Sequence, residues 1–470
     1  MKDRQNTTLN ASVQTDTLEQ SQIMGQQAIL DWLAKHNITE VECLVPDISG
    51  IPRGKILPVG KFVSGLEASG LRLPEYVFGQ SVTGDYMDSD VLNAAVGDVV
   101  LQPDFAGCYL VPWYDEPTAQ IIHDAVYPDG REVTVAPRSV LKRVIKKFEE
   151  KGLKPIVAPE LEFFLVAQSS DPDAPLKTPP GRSGRAETAK QAYGIDAVND
   201  FDPFFEEVYD HCEAMGLDID TLTHEGGAAQ MEINFNHGDA LQLADQALLF
   251  KRTVRQTALN HDIHATFMAK PMQFQPGSSM HLHCSIEDAD TGKNIFADAD
   301  GLETDAFRWA IAGMQAHLAG GMPLMAPFVN SYRRFASTYD APANLDWAYD
   351  NRTVGLRVPL GDPMNRRIEN RVPGADTNPY LVIALTLASI YLGLEAQKAP
   401  TGPVQPKHEL RVSLPRNLDA ALDKMDKAHA IRSILGEDFL TVFSEVKRAE
   451  AEAFLEVISS WEREFLLLNV

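Results

Sequence analysis

Cysteine is scarce in this chain: Cys43, Cys108, Cys212 and Cys284 are the only four in 470 residues, far apart and without a C-x-x-C pair. That spacing excludes a disulfide scaffold and a cysteine-based zinc knuckle, and it suits a reducing compartment. Basic tracts are lacking too. The formal net charge is −24, and lysine and arginine nowhere form a long run, which argues against nucleic acid as the main partner. No stretch approaches about 18 uninterrupted apolar residues, and MKDRQNTTLNASVQTD at the start has no apolar signal-peptide core. No membrane partner is therefore expected, and the expected location is the cytoplasm. Neither a G-x-x-x-x-G-K-[ST] loop nor a kinase-type glycine loop is present, so a nucleotide would have to be held by another architecture.

What the chain does have is a globular composition, 44% hydrophobic, at a length that calls for more than one ordinary core. Residues 1–20 are polar and aperiodic and read as a flexible tail. Residues 21–132 open with the helical pattern QIMGQQAILDWLAKH and continue in short β-like runs separated by Gly, Pro and Asp, a small sheet-based domain. Residues 133–470 form a second regime in which helices and strands alternate. APRSVLKRVIKKFEEKG (136–152), DPFFEEVYDHCEAMG (202–216) and residues 238–262 carry helical stripes, and nearly everything after residue 420 is helical in pattern. The fold class is α+β, with a largely antiparallel sheet forming the site.

Three segments read as strands and each carries two polar residues at i and i+2: Glu160 and Glu162 in PIVAPELEFFLV, His281 and His283 in SMHLHCSI, Glu369 and Arg371 in RRIENRV. Side chains two apart on a strand share a face, so each segment aims two ionic or metal-competent groups into one space. One E-x-E is usually a solvated edge strand. Three such pairs, joined by Glu225 and Glu232 in HEGGAAQMEINF, reverse that reading. Five carboxylates and His281 converging on one cavity would repel and partly neutralise one another unless cations joined them. An oxygen-rich set with one imidazole suits two or three Mg²⁺ or Mn²⁺ ions better than zinc. Seven arginines (Arg333, Arg334, Arg352, Arg357, Arg366, Arg367 and Arg371) fall within about forty residues. Beside a metal site they suggest clamps for phosphate and carboxylate, the combination phosphoryl transfer requires.

APELEFF, HEGGAAQMEINF, GSSMHLHCS, NSYRRF, DNRTVGLRVP and RRIENR, in this order, resemble the glutamine synthetase superfamily, with weaker likeness before residue 132. The resemblance implies an N-terminal β-grasp domain (21–132) and a catalytic domain (133–470) whose curved antiparallel strands form a funnel-shaped site. It implies ATP as co-substrate, glutamate and an amine as the other partners, and stacked rings of six, ten or twelve subunits, the dodecamer being the expected form. Glu162, Glu225 and Glu232 are similar to the ligands of one metal, and Glu160, His281 and Glu369 to those of another. Gly277, Arg334 and Arg371 match glutamate-binding positions, while His283, Ser285, Arg357 and Arg367 match ATP-contacting ones. Arg352 matches the arginine that steadies the transferring phosphoryl group.

The chain departs from the family pattern where ammonium is selected. Gly79 aligns with a family aspartate, Asp340 replaces a flap glutamate as a shorter catalytic carboxylate, and Pro276 stands for a loop asparagine. Losing a carboxylate leaves room for a larger amine. HATFMAKP, VNSYRRF and NRTVGLRVP resemble the γ-glutamylpolyamine synthetase branch, so the leading expectation is an ATP-dependent glutamate–amine ligase. Tyr86 and Trp347 are candidate linings of the amine site. Ordinary glutamine synthetase and a catalytically inactive structural homologue are the competing readings. A metal-dependent amidohydrolase would explain the histidines and carboxylates but not the arginines.

Overall fold

In the computed structural model, which describes residues 25–67, 70–93, 95–336, 341–405 and 413–470, the chain divides into two units. One unit takes residues 25–45, 52–74 and 97–133, and the other takes 46–51, 75–96 and everything from 134 onward. In the first unit, strands β1 (Glu40–Pro46), β2 (Pro52–Pro58), β3 (Leu71–Pro74), β4 (Asp98–Leu110) and β5 (Thr118–Val126) are ordered β2-β1-β5-β4-β3. The central β1–β5 pair is parallel and β4 is antiparallel to both its neighbours, the mixed sheet of a β-grasp fold. The helix over 25–35 lays Ile29 and Leu33 on Val41, Cys43, Phe62 and Ile121, as its apolar spacing requires. Burial pushes the Cys43, Cys108 and Cys212 thiols up to about 12, which makes them packing groups rather than nucleophiles.

The second unit is built on a nine-stranded sheet: β6 (Leu153–Ala167), β7 (Ile219–His224), β8 (Gln230–Phe235), β9 (Gly238–Asp239), β10 (Ile263–Thr266), β11 (Met280–Asp288), β12 (Trp347–Tyr349), β13 (Leu356–Val358) and β14 (Ile368–Asn370). The order is β12-β13-β14-β11-β6-β8-β7, with β9 and β10 also pairing to β6. Among the described residues, every strand pairing in this sheet is antiparallel except β12 with β13. On β6, Leu161, Phe163 and Leu165 are fully buried, and the Phe163 ring meets Phe250 of helix Ala240–Asn260 edge-on. The alternate residues Glu160 and Glu162 are thereby turned to the opposite face.

Helix ends follow ordinary capping chemistry. Asp239 accepts from the Leu241 and Gln242 amides at the start of Ala240–Asn260, and Gly216, at φ +68°, closes Asp202–Met215. Two long helices escape the sequence reading, Asp305–His317 and Pro379–Ala396. The second is apolar all round, so it has no stripe for a periodicity argument to detect. By length and composition it could cross a membrane, but 72% of it is buried inside the fold, as befits a core helix. The two helices cross closely because Gly313 and Gly393 meet there. A Cβ on either would come within 2.2 Å of a facing carbonyl oxygen.

Candidate active site

Strand register brings the polar pairs together. Across the sheet Arg357 of β13 faces Glu369 of β14, which faces His283 of β11. One step along, His281 of β11 faces Glu160 of β6, and Glu162 of β6 faces Glu232 of β8. Residues opposite one another in antiparallel strands share a face, so all seven, ionic or imidazole groups on neighbouring strands, lie on one surface, with Arg357 the flanking cation.

Glu160 is the centre. Its Oε1 lies 2.8 Å from His283 Nε2, and its Oε2 lies 3.3 Å from His281 Nδ1. Arg367 Nε donates to His283 Nδ1 at 3.1 Å, which fixes the tautomer so that His283 Nε2–H donates to Glu160. His281 also stands 3.8 Å from Glu369 Oε1 and, through Nε2, 3.9 Å from Glu162 Oε1. Among the described residues, two groups bring three ligand atoms within 4.8 Å of one another: Glu160, Glu232 and His281, and Glu160, His283 and Glu369. Glu160 belongs to both.

These groupings differ from the sets that family resemblance assigns. Glu160 joins Glu232 rather than only His281 and Glu369, and His283 takes part as a potential ligand. Glu162 stands beside the clusters, its Oε2 accepting from the Ser279 amide at 2.9 Å and from Gln230 Nε2 at 3.2 Å. Glu225, at the end of β7, lies in a half-buried turn where its carboxylate accepts from the Gly226 amide at 3.3 Å.

Charge regulation separates the carboxylates into two kinds. Burial raises Glu160 and Glu369, but the histidines beside Glu160 and Arg371 beside Glu369 outweigh it, holding Glu369 down at about 2 and Glu160 lower still. On the other side of His281, burial pushes Glu162 up to about 8, reinforced by Glu225. It pushes Glu232 up to about 10, reinforced by Glu160, Glu162 and Glu225. Glu225 is raised for the same reason, with Arg352 and Arg371 opposing. An all-oxygen and imidazole donor set whose members repel one another into protonation fits hard divalent cations.

The arginine-rich stretch sorts itself spatially. Arg357 donates to Glu369 at 2.7 Å and to Asp350 at 2.6 Å, and Arg371 donates to the other oxygen of Glu369. Arg334, only 1% exposed, donates to Ser279 Oγ at 2.7 Å and to the Val372 carbonyl at 2.9 Å. Gly277 lies against it: a Cβ there would stand 2.5 Å from Arg334 Cγ and 2.8 Å from the Ala269 carbonyl, so a larger residue would displace the guanidinium stem. Arg352 is exposed on the turn after β12. Arg366 instead braces backbone carbonyls of Phe296 and Gly301, and Arg333 is exposed.

Next to the clusters is a cleft of about 370 Å³ bordered by Glu160, His283, Ser285, Arg367, Asn234 and Asn365. Gln230 is a site residue that sequence reasoning missed. Buried between β6 and the Gly277 turn, its amide donates to both Glu162 and the Gly277 carbonyl (2.9 Å). Its place two residues before Glu232 was the available signal. Trp347 is buried, its Nε1 donating to the Thr401 carbonyl, and Tyr86 is exposed and stacked edge-on to Tyr76. Asp340 lies outside the described residues.

Residues 134–466 match the glutamine synthetase catalytic domain. The chain is 35% identical to the γ-glutamylputrescine synthetase of Escherichia coli (strain K12) over 94% of its own length and 95% of the relative's. It is 32% identical to a glutamine synthetase of Thermus thermophilus, over 92% and 97% of the two chains. A solved structure described as a GmaS/ADP complex superposes with a TM-score of 0.79 at 26% identity, covering 93% of this chain and 98% of that one. A carboxylate and histidine centre on an antiparallel sheet, flanked by arginines, is thus accompanied by likeness along nearly the whole chain: the protein belongs to the glutamine synthetase family and is a ligase of that family.

Proposed function

We propose that this ligase joins the γ-carboxylate of glutamate to a primary amine, a polyamine such as putrescine being favoured, through γ-glutamyl phosphate. The supporting observation is the pair of clusters sharing Glu160, with arginines on one side and the His283, Ser285 and Arg367 cleft on the other. Glu160, Glu162, Glu225, Glu232, His281 and Glu369 would hold two or three Mg²⁺ or Mn²⁺ ions, which when bound neutralise phosphate charge. Arg334, Arg371 and Gly277 orient glutamate, and His283, Ser285, Arg357 and Arg367 orient ATP. A γ-carboxylate oxygen of glutamate attacks the terminal phosphorus of ATP and ADP leaves, with Arg352 countering the charge that develops. The amine nitrogen then attacks the acyl carbon, phosphate leaves, and the surplus amine proton passes to a carboxylate, the role proposed for Asp340.

Two observations support an amine larger than ammonia. One is the likeness to the E. coli γ-glutamylputrescine synthetase. The other is Gly79, which offers no carboxylate to select ammonium; a Cβ there would lie 2.6 Å from Leu92 Cδ2, so Leu92 fills the space beside it and the room expected for a larger amine is not opened at Gly79 itself. Glutamine synthesis from ammonium is the second reading, favoured by likeness to the Thermus thermophilus enzyme. Phosphate release with glutamate plus ammonium, putrescine, spermidine, ethanolamine or isopropylamine separates them. Putrescine or spermidine is expected to turn over fastest, and ammonium outpacing every amine refutes the polyamine assignment. Assembly into stacked rings, as a dodecamer, belongs to the same proposal.

The raised carboxylates give a pH prediction. In metal-stripped protein, folded Glu162 and Glu232 bind protons up to about 8 and about 10, whereas the ordinary value is 4.5. The folded state therefore holds more protons than the unfolded one across that window, and its stability falls as pH rises through it. Divalent cations replace those protons, so their affinity rises with pH. The gain in Tm on adding Mn²⁺ is expected to grow from pH 6 to pH 8.5. A gain independent of pH would show that neither carboxylate binds the ion.

A further inference from the structure

The long excursion between β6 and the helix Asp202–Met215 contributes nothing to the roles above, and residues 182–186 and 188–190 along it are exposed. Glu187 is the exception, turned inward with its side chain 12% exposed. Its Oε2 accepts from the Ala229 amide at 2.7 Å and lies 3.0 Å from His224 Nε2. The other face of that imidazole is engaged too: His224 Nδ1–H donates to the Glu225 carbonyl at 2.8 Å. One carboxylate thus grips both ends of the turn 224–229, on which Glu225 sits and from which β8 departs toward Glu232.

That turn needs holding. Ala229 is fully buried at φ +55°, a left-handed conformation that alanine adopts at a cost, and its carbonyl accepts from the Leu165 amide at 2.9 Å. Its N–H would be a buried unpaired donor without Glu187. The Glu187 backbone is anchored in turn, its carbonyl accepting from Thr178 Oγ1 at 2.6 Å. Its Oε1 is buried and makes no hydrogen bond among the described residues, a desolvation cost that a surface-loop carboxylate would avoid by facing water.

We propose that Glu187 is a positioning residue: by clamping Ala229 and His224 it sets the separation of Glu225 and Glu232, and so tunes divalent-cation affinity without touching the ion. The inference rests on the reading of Glu225 and Glu232 as cation ligands. Its test is Mn²⁺ alone, titrated into wild-type, Glu187→Gln and Glu187→Ala protein and followed by electron paramagnetic resonance, with Tm and steady-state kinetics measured on the same samples. Glutamine keeps an acceptor for both partners, so Glu187→Gln is expected to stay within about threefold of wild type. Glu187→Ala is expected to weaken Mn²⁺ binding about tenfold and to raise the metal concentration for half-maximal turnover alike, with the KM for glutamate little changed. Unchanged Mn²⁺ affinity in Glu187→Ala overturns the proposal, whatever happens to Tm, and so does a glutamine variant as weak as alanine. If the alanine variant does not fold, Thr178→Ala releases the Glu187 backbone from its anchor and must weaken Mn²⁺ binding for the proposal to stand. Wild-type protein that binds no Mn²⁺ refutes the metal reading itself, a separate outcome.

Discussion

Glu160→Gln is expected to lower turnover by about a thousandfold and to remove Mn²⁺ binding at both clusters. Several kcal/mol of transition-state charge stabilisation is lost with the cations, and each 1.36 kcal/mol is tenfold in rate. The expectation follows from one geometrical fact, that Glu160 is the only residue common to both three-atom groups. Glutamine preserves shape and still offers an acceptor to His283, so the sheet has no reason to rearrange. The substitution also has a signature beyond lost activity. Glu160 is, after burial, the first cause of the raised Glu232 carboxyl, so removing its charge lets Glu232 ionise at lower pH. The pH dependence of the variant's stability should therefore shift downward relative to metal-stripped wild type. Mn²⁺ bound to Glu160→Gln with wild-type affinity and stoichiometry would show that the ions are held elsewhere.

Arg352→Ala is the second large expectation, and it isolates chemistry from structure. Arg352 is exposed and makes no hydrogen bond or ion pair among the described residues, unlike Arg357 and Arg371, which are locked to Glu369. Its removal should leave stability within about 0.5 kcal/mol, as for surface positions in general. Arginines that counter charge on a transferring phosphoryl group are worth about 10³ or more in rate, so phosphate release should fall by that order. Mn²⁺ affinity should be nearly intact, because Arg352 supplies no ligand atom, although it is the leading charge opposing the raised Glu225. Rapid-quench measurement of ADP formation in a single turnover reads the step directly. Near-normal ADP formation would remove Arg352 from phosphoryl transfer.

Both substitutions fall on residues that stand out in the amino-acid sequence itself. The strand period alone placed Glu160 with Glu162, and His281 with His283, on common faces, because successive side chains on a strand alternate. Converging carboxylates pointed to cations and the missing loop motifs to an unusual nucleotide site, and six ordered motifs carried the family resemblance. The amphipathic helices were legible from their stripes. The helix Pro379–Ala396 was not, because a helix buried on every side has no periodic face.

What the sequence could not decide was which residues meet across strands. Two positions far apart in the chain become neighbours only when register is set, and a slip of one residue would send every charge to the other face. Register made Glu160 the shared member of both clusters, put His283 among the potential ligands, and fixed its tautomer through Arg367. It also separated the arginines, leaving Arg366 on backbone carbonyls while Arg371 pairs with Glu369. Gln230, signalled only by its place two residues before Glu232, and Glu187, which carries no pattern in its own segment, came into view in three dimensions, since each acts through hydrogen bonds to groups more than thirty residues away in sequence. The residue types determined which chemistry was possible; the packing of the β6, β8, β11 and β14 strands decided which of those residues share one surface, because interaction energies at charged groups depend on separations of a few ångströms that no linear spacing encodes.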